Sequence, residues 1–180
     1  MGRSGNSTQG QDVRLRRLAE QIQALPGKDA VLRRRTDEIL ALRRAAVREL
    51  WETCAGLVHA LNELLHEESV DLDPQSMGAE TFREESPNLI QINASGRILQ
   101  VEFHGSPELI STEDFRIPYT LEGSIRAFNQ TLLEKDLIEE QLLFYTVEQH
   151  GAMWRFFDPR TYRSGPFDQG YLITLMEELV

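Results

Sequence analysis

Leu15, Leu18, Ile22 and Leu25 recur at spacings of 3, 4 and 3, which on a helix of 3.6 residues per turn places them along one face. Asp12 stands ahead of them as a cap, and Pro26-Gly27 follows. Proline cannot continue the hydrogen-bond ladder, and glycine suits the left-handed exit of a helix. The pattern therefore predicts a short helix over 12–25 ended by a Pro-Gly break. Residues 1–11 ahead of it are polar and rich in Gly and Ser, a composition expected of a flexible tail. From Asp29 a second helix is expected to run to about residue 68. Along it Leu40, Val47, Leu50, Cys54, Leu57, Leu61 and Leu64 occupy alternating a and d heptad positions, interrupted at Arg43, with Trp51, Val58 and Leu65 widening the stripe. At 1.5 Å per residue this helix spans roughly 60 Å. A stripe of that length calls for a covering partner, and the 12–25 helix matches only about a third of it, so the rest is expected to pack on the C-terminal domain or on another chain.

Residues 69–86 lose the period and gather Asp, Glu, Pro and Gly, which predicts a linker. Beyond it the period becomes two. Leu89–Asn93 and Arg97–His104, separated by Ala94-Ser95-Gly96, form one expected hairpin. A second is expected from the alternation of Phe115, Ile117, Tyr119 and Leu121, a turn at Glu122-Gly123, and a return over 124–129, with Pro118 marking an edge strand. A third joins Leu142–Glu148 to Ala152–Phe157 across His150-Gly151, after a helical connection over 131–140. Asp168, followed by Leu172, Leu175, Met176 and Leu179, predicts a capped amphipathic helix. Strands that arrive as hairpins, with helices collected at the two ends, give an α+β chain: an N-terminal helical, coiled-coil-like segment over 12–68, then an antiparallel sheet of about six strands with a C-terminal helix over 87–180.

Composition changes this picture little. The chain has 180 residues, 41% of them hydrophobic and 27% charged, enough for a core built without disulfides. Its one cysteine excludes an internal bridge and any zinc-type cysteine cluster. Charge changes it more. The net value of −10 hides a basic first stretch, with 11 Lys and Arg against 6 Asp and Glu in residues 1–50, and an acidic remainder. The opening residues lack the apolar run of a secretory signal, and no run of about 18 apolar residues is present to span a bilayer. The expected location is the cytoplasm.

Among candidate chemical groups, His59, Glu63 and His66 share a helix face at metal-ligand spacing, but they lie off the apolar seam and read as a solvated surface. Accordingly, no metal or other cofactor is expected. The arginines Arg14, Arg16, Arg17, Arg33, Arg34, Arg35, Arg43, Arg44 and Arg48 form a basic footprint, yet many stand four residues from a carboxylate, and the acidic remainder repels nucleic acid. Cys54, on the seam, reads as packing, and no catalytic motif is present. An aromatic concentration near the C-terminus supplies one binding candidate, a pocket between sheet and terminal helix lined by Trp154, Tyr162, Phe167 and Tyr171 and oriented by Arg160 or Arg163.

Two functions follow as expectations. The first is a non-enzymatic assembly or interaction protein that forms a homodimer through Leu40, Val47, Leu50, Trp51, Cys54, Leu57, Leu61 and Leu64. The second is a small-molecule or peptide binding domain, and so a possible enzyme, using the aromatic pocket.

Overall fold

In a computed structural model of the chain, the N-terminal pattern becomes one continuous helix, α1 (Gly5–Leu64), with Pro26 inside it. The structure describes residues 5–66, 70–78, 80–110, 117–135, 138–148 and 151–180, and their side chains apart from those of 5–12, 28–34 and 107–110. The side-chain roles expected of Asp29, Arg33 and Arg34, and the positions Phe115 and His150, lie outside what is described; the helix start expected at Asp29 is corrected, since α1 runs through it. The break at Pro26-Gly27 is corrected. Proline removes one backbone bond at a cost of about 3 kcal/mol, and glycine beside it adds to that cost, yet the helix passes through both. The tail expected over 1–11 is likewise helical from Gly5.

Two compact units divide the chain, Met1–Ala41 and Leu42–Val180. The division falls inside α1, not in the segment 69–86. In the first unit the described side chains over 13–27 and 35–38 are all exposed.

The second unit is built on seven antiparallel strands in sequential order: β1 (Val70–Asp73), β2 (Asn88–Ala94), β3 (Arg97–Ile110), β4 (Tyr119–Phe128), β5 (Glu139–Glu148), β6 (Gly151–Asp158) and β7 (Arg163–Pro166). A short helix α2 (Gln130–Glu134) separates β4 from β5, and α3 (Gln169–Leu179) ends the unit. The β2–β3 turn is the one the sequence implies. Ser95 and Gly96 both have positive φ, at 52° and 83°, the backbone that matches the twist of a two-residue hairpin. Asp168 caps α3 as expected, accepting from the Tyr171 N–H at 2.9 Å, and Asn129, not expected in that role, does the same for Leu132 at the start of α2.

The second expected hairpin is corrected. Glu122-Gly123 lies in the middle of β4, which is a single central strand, and Pro118 precedes it without making it an edge. Gly123 is required there for space. A Cβ on it would stand 1.9 Å from the Glu102 carbonyl oxygen and 2.7 Å from the Phe103 Cα on β3. The strand count rises from six to seven because β1 and β7 fall in stretches read as a linker and a loop. Nor is 69–86 loosely attached: Phe82 is buried, the Trp51 indole donates to the Pro74 carbonyl at 2.9 Å, and Asn62 pairs with both backbone groups of Val70.

Alternation along the strands gives the sheet one apolar face. Ile90, Ile92, Leu99, Val101, Phe103, Leu121, Ile125, Leu143, Tyr145, Trp154 and Phe156 form a single core with two helix faces. One is Ala46, Val47, Leu50, Cys54, Leu57 and Val58 of α1; the other is Leu172, Leu175, Met176 and Leu179 of α3. Trp154 stands at the centre. Its indole N–H donates to the Ala46 carbonyl at 2.8 Å, and its ring meets Phe103 and Tyr145 edge-on. The long stripe of α1 is therefore covered from within the chain between Ala46 and Val58. A heptad period states that one helix face is buried, and a sheet serves as well as a second helix.

Candidate interaction surfaces

Arg43, the interruption in the stripe, proves to be a buried polar anchor. Its guanidinium donates from Nε to the Thr120 hydroxyl and carbonyl, from Nη2 to the Ser106 carbonyl, and from Nη1 to Glu84 at 3.5 Å. Gly105 makes room for it, since a Cβ there would lie 3.2 Å from Nη1. Buried guanidinium groups are tolerated when their donors are matched in this way. This arginine belongs to the fold and is not available to phosphates.

Of the interface residues expected on α1, Val47, Leu50, Cys54 and Leu57 are buried in the core, and Trp51 and Leu61 pack against its margin. Leu40, in the first unit, is half-buried. Leu64 is 83% exposed. Burial pushes the Cys54 thiol up to about 12, which leaves it protonated and inert.

The six aromatic-pocket residues separate into two groups. Trp154, Phe167 and Tyr171 are on the helix-covered side. Phe156 stacks on Tyr171 with ring centroids 3.7 Å apart, Phe167 meets Tyr171 edge-on, and the Tyr171 hydroxyl donates to Gln141. Arg160, Tyr162 and Arg163 are exposed at or beside the β6–β7 turn. Asp158 organises that turn, accepting from the Arg160 N–H at 2.9 Å, the Thr161 hydroxyl at 2.8 Å and the Arg160 side chain, which also pairs with Glu139. Tyr162 has φ of 56° and is 80% exposed. A cavity of about 270 Å³ does lie between sheet and α3, but Ile125, Leu132, Gln141 and Leu175 are among its walls and none of the six residues is.

A second, smaller cluster is formed by Tyr119 and Phe144, both buried and with ring centroids 4.7 Å apart, with Leu142 and Phe157 beside them. Around them His104 faces Glu122 at 3.3 Å and Arg126 pairs with Glu140 at 2.9 Å. Burial, together with Glu122, pushes the Tyr119 hydroxyl up to about 12. Hydrogen bonds from Ser124 and Arg126 hold the Glu140 carboxyl below its ordinary value. On α1, His59 and Glu63 pair at 3.3 Å, both largely exposed. Among the described residues no group of three His, Cys, Asp or Glu side chains is placed to hold a metal, and no helix is long and apolar enough to cross a membrane.

Two open apolar surfaces stand out among the described residues. The first is the N-terminal seam, where Leu15, Leu18, Ile22 and Leu25 are between 49% and 62% exposed. The second is a groove of about 450 Å³ in the second unit, walled by Leu57, Leu61 and Leu65 of α1 and by Ile173 and Met176 of α3, with Val70 and Ala94 also lining it. The first was legible as helical spacing. Of the α3 wall, Met176 belongs to the seam of Leu172, Leu175, Met176 and Leu179, whereas Ile173 lies off it and was not legible. Compared with known protein families, with curated proteins and with solved structures, the chain matches none.

Proposed function

We propose that this is a non-enzymatic assembly protein that self-associates through the N-terminal part of its long helix, with the sheet unit as the body it assembles. The supporting observation is the contrast along α1. The seam from Val47 to Val58 is buried in its own unit, whereas Leu15, Leu18, Ile22 and Leu25 are exposed. An isolated helix gains little from propensity alone, and most helical stability in proteins comes from packing an apolar face. At roughly 1.5–3 kcal/mol per fully buried large side chain, covering these residues is worth on the order of 6–12 kcal/mol per chain before ordering entropy is subtracted.

The interface is thus moved toward the N-terminus relative to the eight residues the heptad pattern first suggests. Light scattering on the purified chain at micromolar concentration tests the reading. A mass twice that of the 20.6 kDa chain, reduced to a single chain by Leu18→Glu with Ile22→Glu, is the supporting result. A monomeric native chain across that range counts against it.

A further inference from the structure

The groove between the ends of α1 and α3 has the dimensions and chemistry to receive a short amphipathic helix. Leu57, Leu61 and Leu65 form its α1 wall over two turns, about 12 Å at 1.5 Å per residue, and Ile173 and Met176 form the facing wall. Its floor is Val70 and Ala94. Leu65 and Ile173 are each more than 40% exposed although both are large and apolar, so a helix covering them would remove apolar surface from water. A helix laid there would contact two helix walls and the end of the sheet.

We infer that the occupant is the seam of a second copy of this chain, residues 12–25. Three observations select it. The seam runs from Leu15 to Leu25, about 15 Å on a helix, so it matches the groove in length. Its apolar residues are exposed in the free chain. Its charge is complementary at the level of the whole units: residues 1–41 carry 8 Lys and Arg against 5 Asp and Glu, while 42–180 carry 11 against 24; the groove itself is lined by one residue of each sign, Arg97 and Glu177. Opposite charge across an interface fixes orientation and speeds encounter. Two chains that exchange seams reciprocally make two identical contacts and close as a two-fold dimer. This inference rests on the proposed self-association and names the surface that receives the seam.

The test mixes full-length Leu18→Cys with full-length Ile173→Cys under mild oxidation; Cys54, wholly buried, does not compete. The expected product is the mixed disulfide, formed at least tenfold faster than either variant links to itself. In parallel, Ile173→Glu is expected to lose self-association while its thermal unfolding stays within a few degrees of the native chain. Rapid self-linking of Leu18→Cys, together with an Ile173→Glu chain that remains dimeric, would overturn the groove while leaving self-association in place. A native chain that sediments as a monomer would remove both.

Discussion

The Arg43 side chain donates from Nε to both oxygens of Thr120, at 2.9 Å to the hydroxyl and 3.1 Å to the carbonyl, across 77 residues of sequence. The pair ties α1 to the start of β4 and occupies a position where the heptad pattern calls for an apolar side chain. Truncating it removes a donor from the buried Thr120 and Ser106 acceptors, and a buried group that loses its partner costs about 1–3 kcal/mol. Arg43→Ala is expected to destabilise the second unit by about 3 kcal/mol, roughly 6–12 °C in Tm. Arg43→Lys keeps the charge but loses the fork, and is expected to recover less than half. Thermal melts of the two variants check this, and an Arg43→Ala chain as stable as the native one would show that the anchor carries no weight.

Glycine positions give a second contrast. Gly123 has no room for a methyl group against the Glu102 carbonyl, so Gly123→Ala must part β3 from β4 and is expected to cost about 4 kcal/mol or more. Gly56, in α1, has nothing within 4 Å of the Cβ position. There, alanine replaces the least favourable ordinary helix residue, and Gly56→Ala is expected to stabilise by about 0.5–1 kcal/mol. Urea unfolding of both variants reads the two signs side by side.

Cys54 offers a chemical probe of the same core. With its thiol at about 12 and no exposed surface, it is expected to ignore an aromatic disulfide reagent at pH 8 in the native chain. It should react fully once urea unfolds the second unit. Reaction within seconds under native conditions would mean that α1 is not seated on the sheet as described.

Asp158 supplies a pH dependence. Burial acts to raise its carboxyl, but the hydrogen bonds from the Arg160 backbone, Thr161 and the Arg160 side chain prevail and hold it below its ordinary value. A group depressed in the folded state stabilises above its unfolded pKa, near 4, and that contribution is lost as pH falls through the folded value. The stability gap between the native chain and Asp158→Asn is therefore expected to be constant from pH 6 to 8 and to shrink below about pH 4. A gap that widens in acid would reverse the assignment.

Much of the second unit was legible in the sequence because its signals are local. The Asp168 cap, the positive-φ pair Ser95-Gly96 and the alternation of β2, β3, β5 and β6 each sit within a few residues of what they determine. The rest depends on partners distant in the chain. β1 and β7 have four residues each, too few to show a period, and they become strands by pairing with β2 and β6. Gly123 reads locally as a turn, but its reason is the backbone of β3 beside it. The spacing of the α1 stripe calls for cover by the C-terminal domain or by another chain and does not distinguish a facing helix from a facing sheet; over Val47–Val58 the cover is the chain's own sheet. Arg43 looked like a fault in that stripe because Thr120 is so far along the sequence. For the candidate site, the seam at Leu15–Leu25 was visible from spacing, while the groove came into view only when α3 was set beside α1.

Amide hydrogen exchange, followed across a hundredfold range of chain concentration, tests the central claim most directly because it reports the two parts of α1 separately. The account predicts that amides of 13–25 become protected as concentration rises and lose protection on dilution, while those of 46–58 exchange slowly and identically throughout. Protection over 13–25 that does not change with concentration would contradict it.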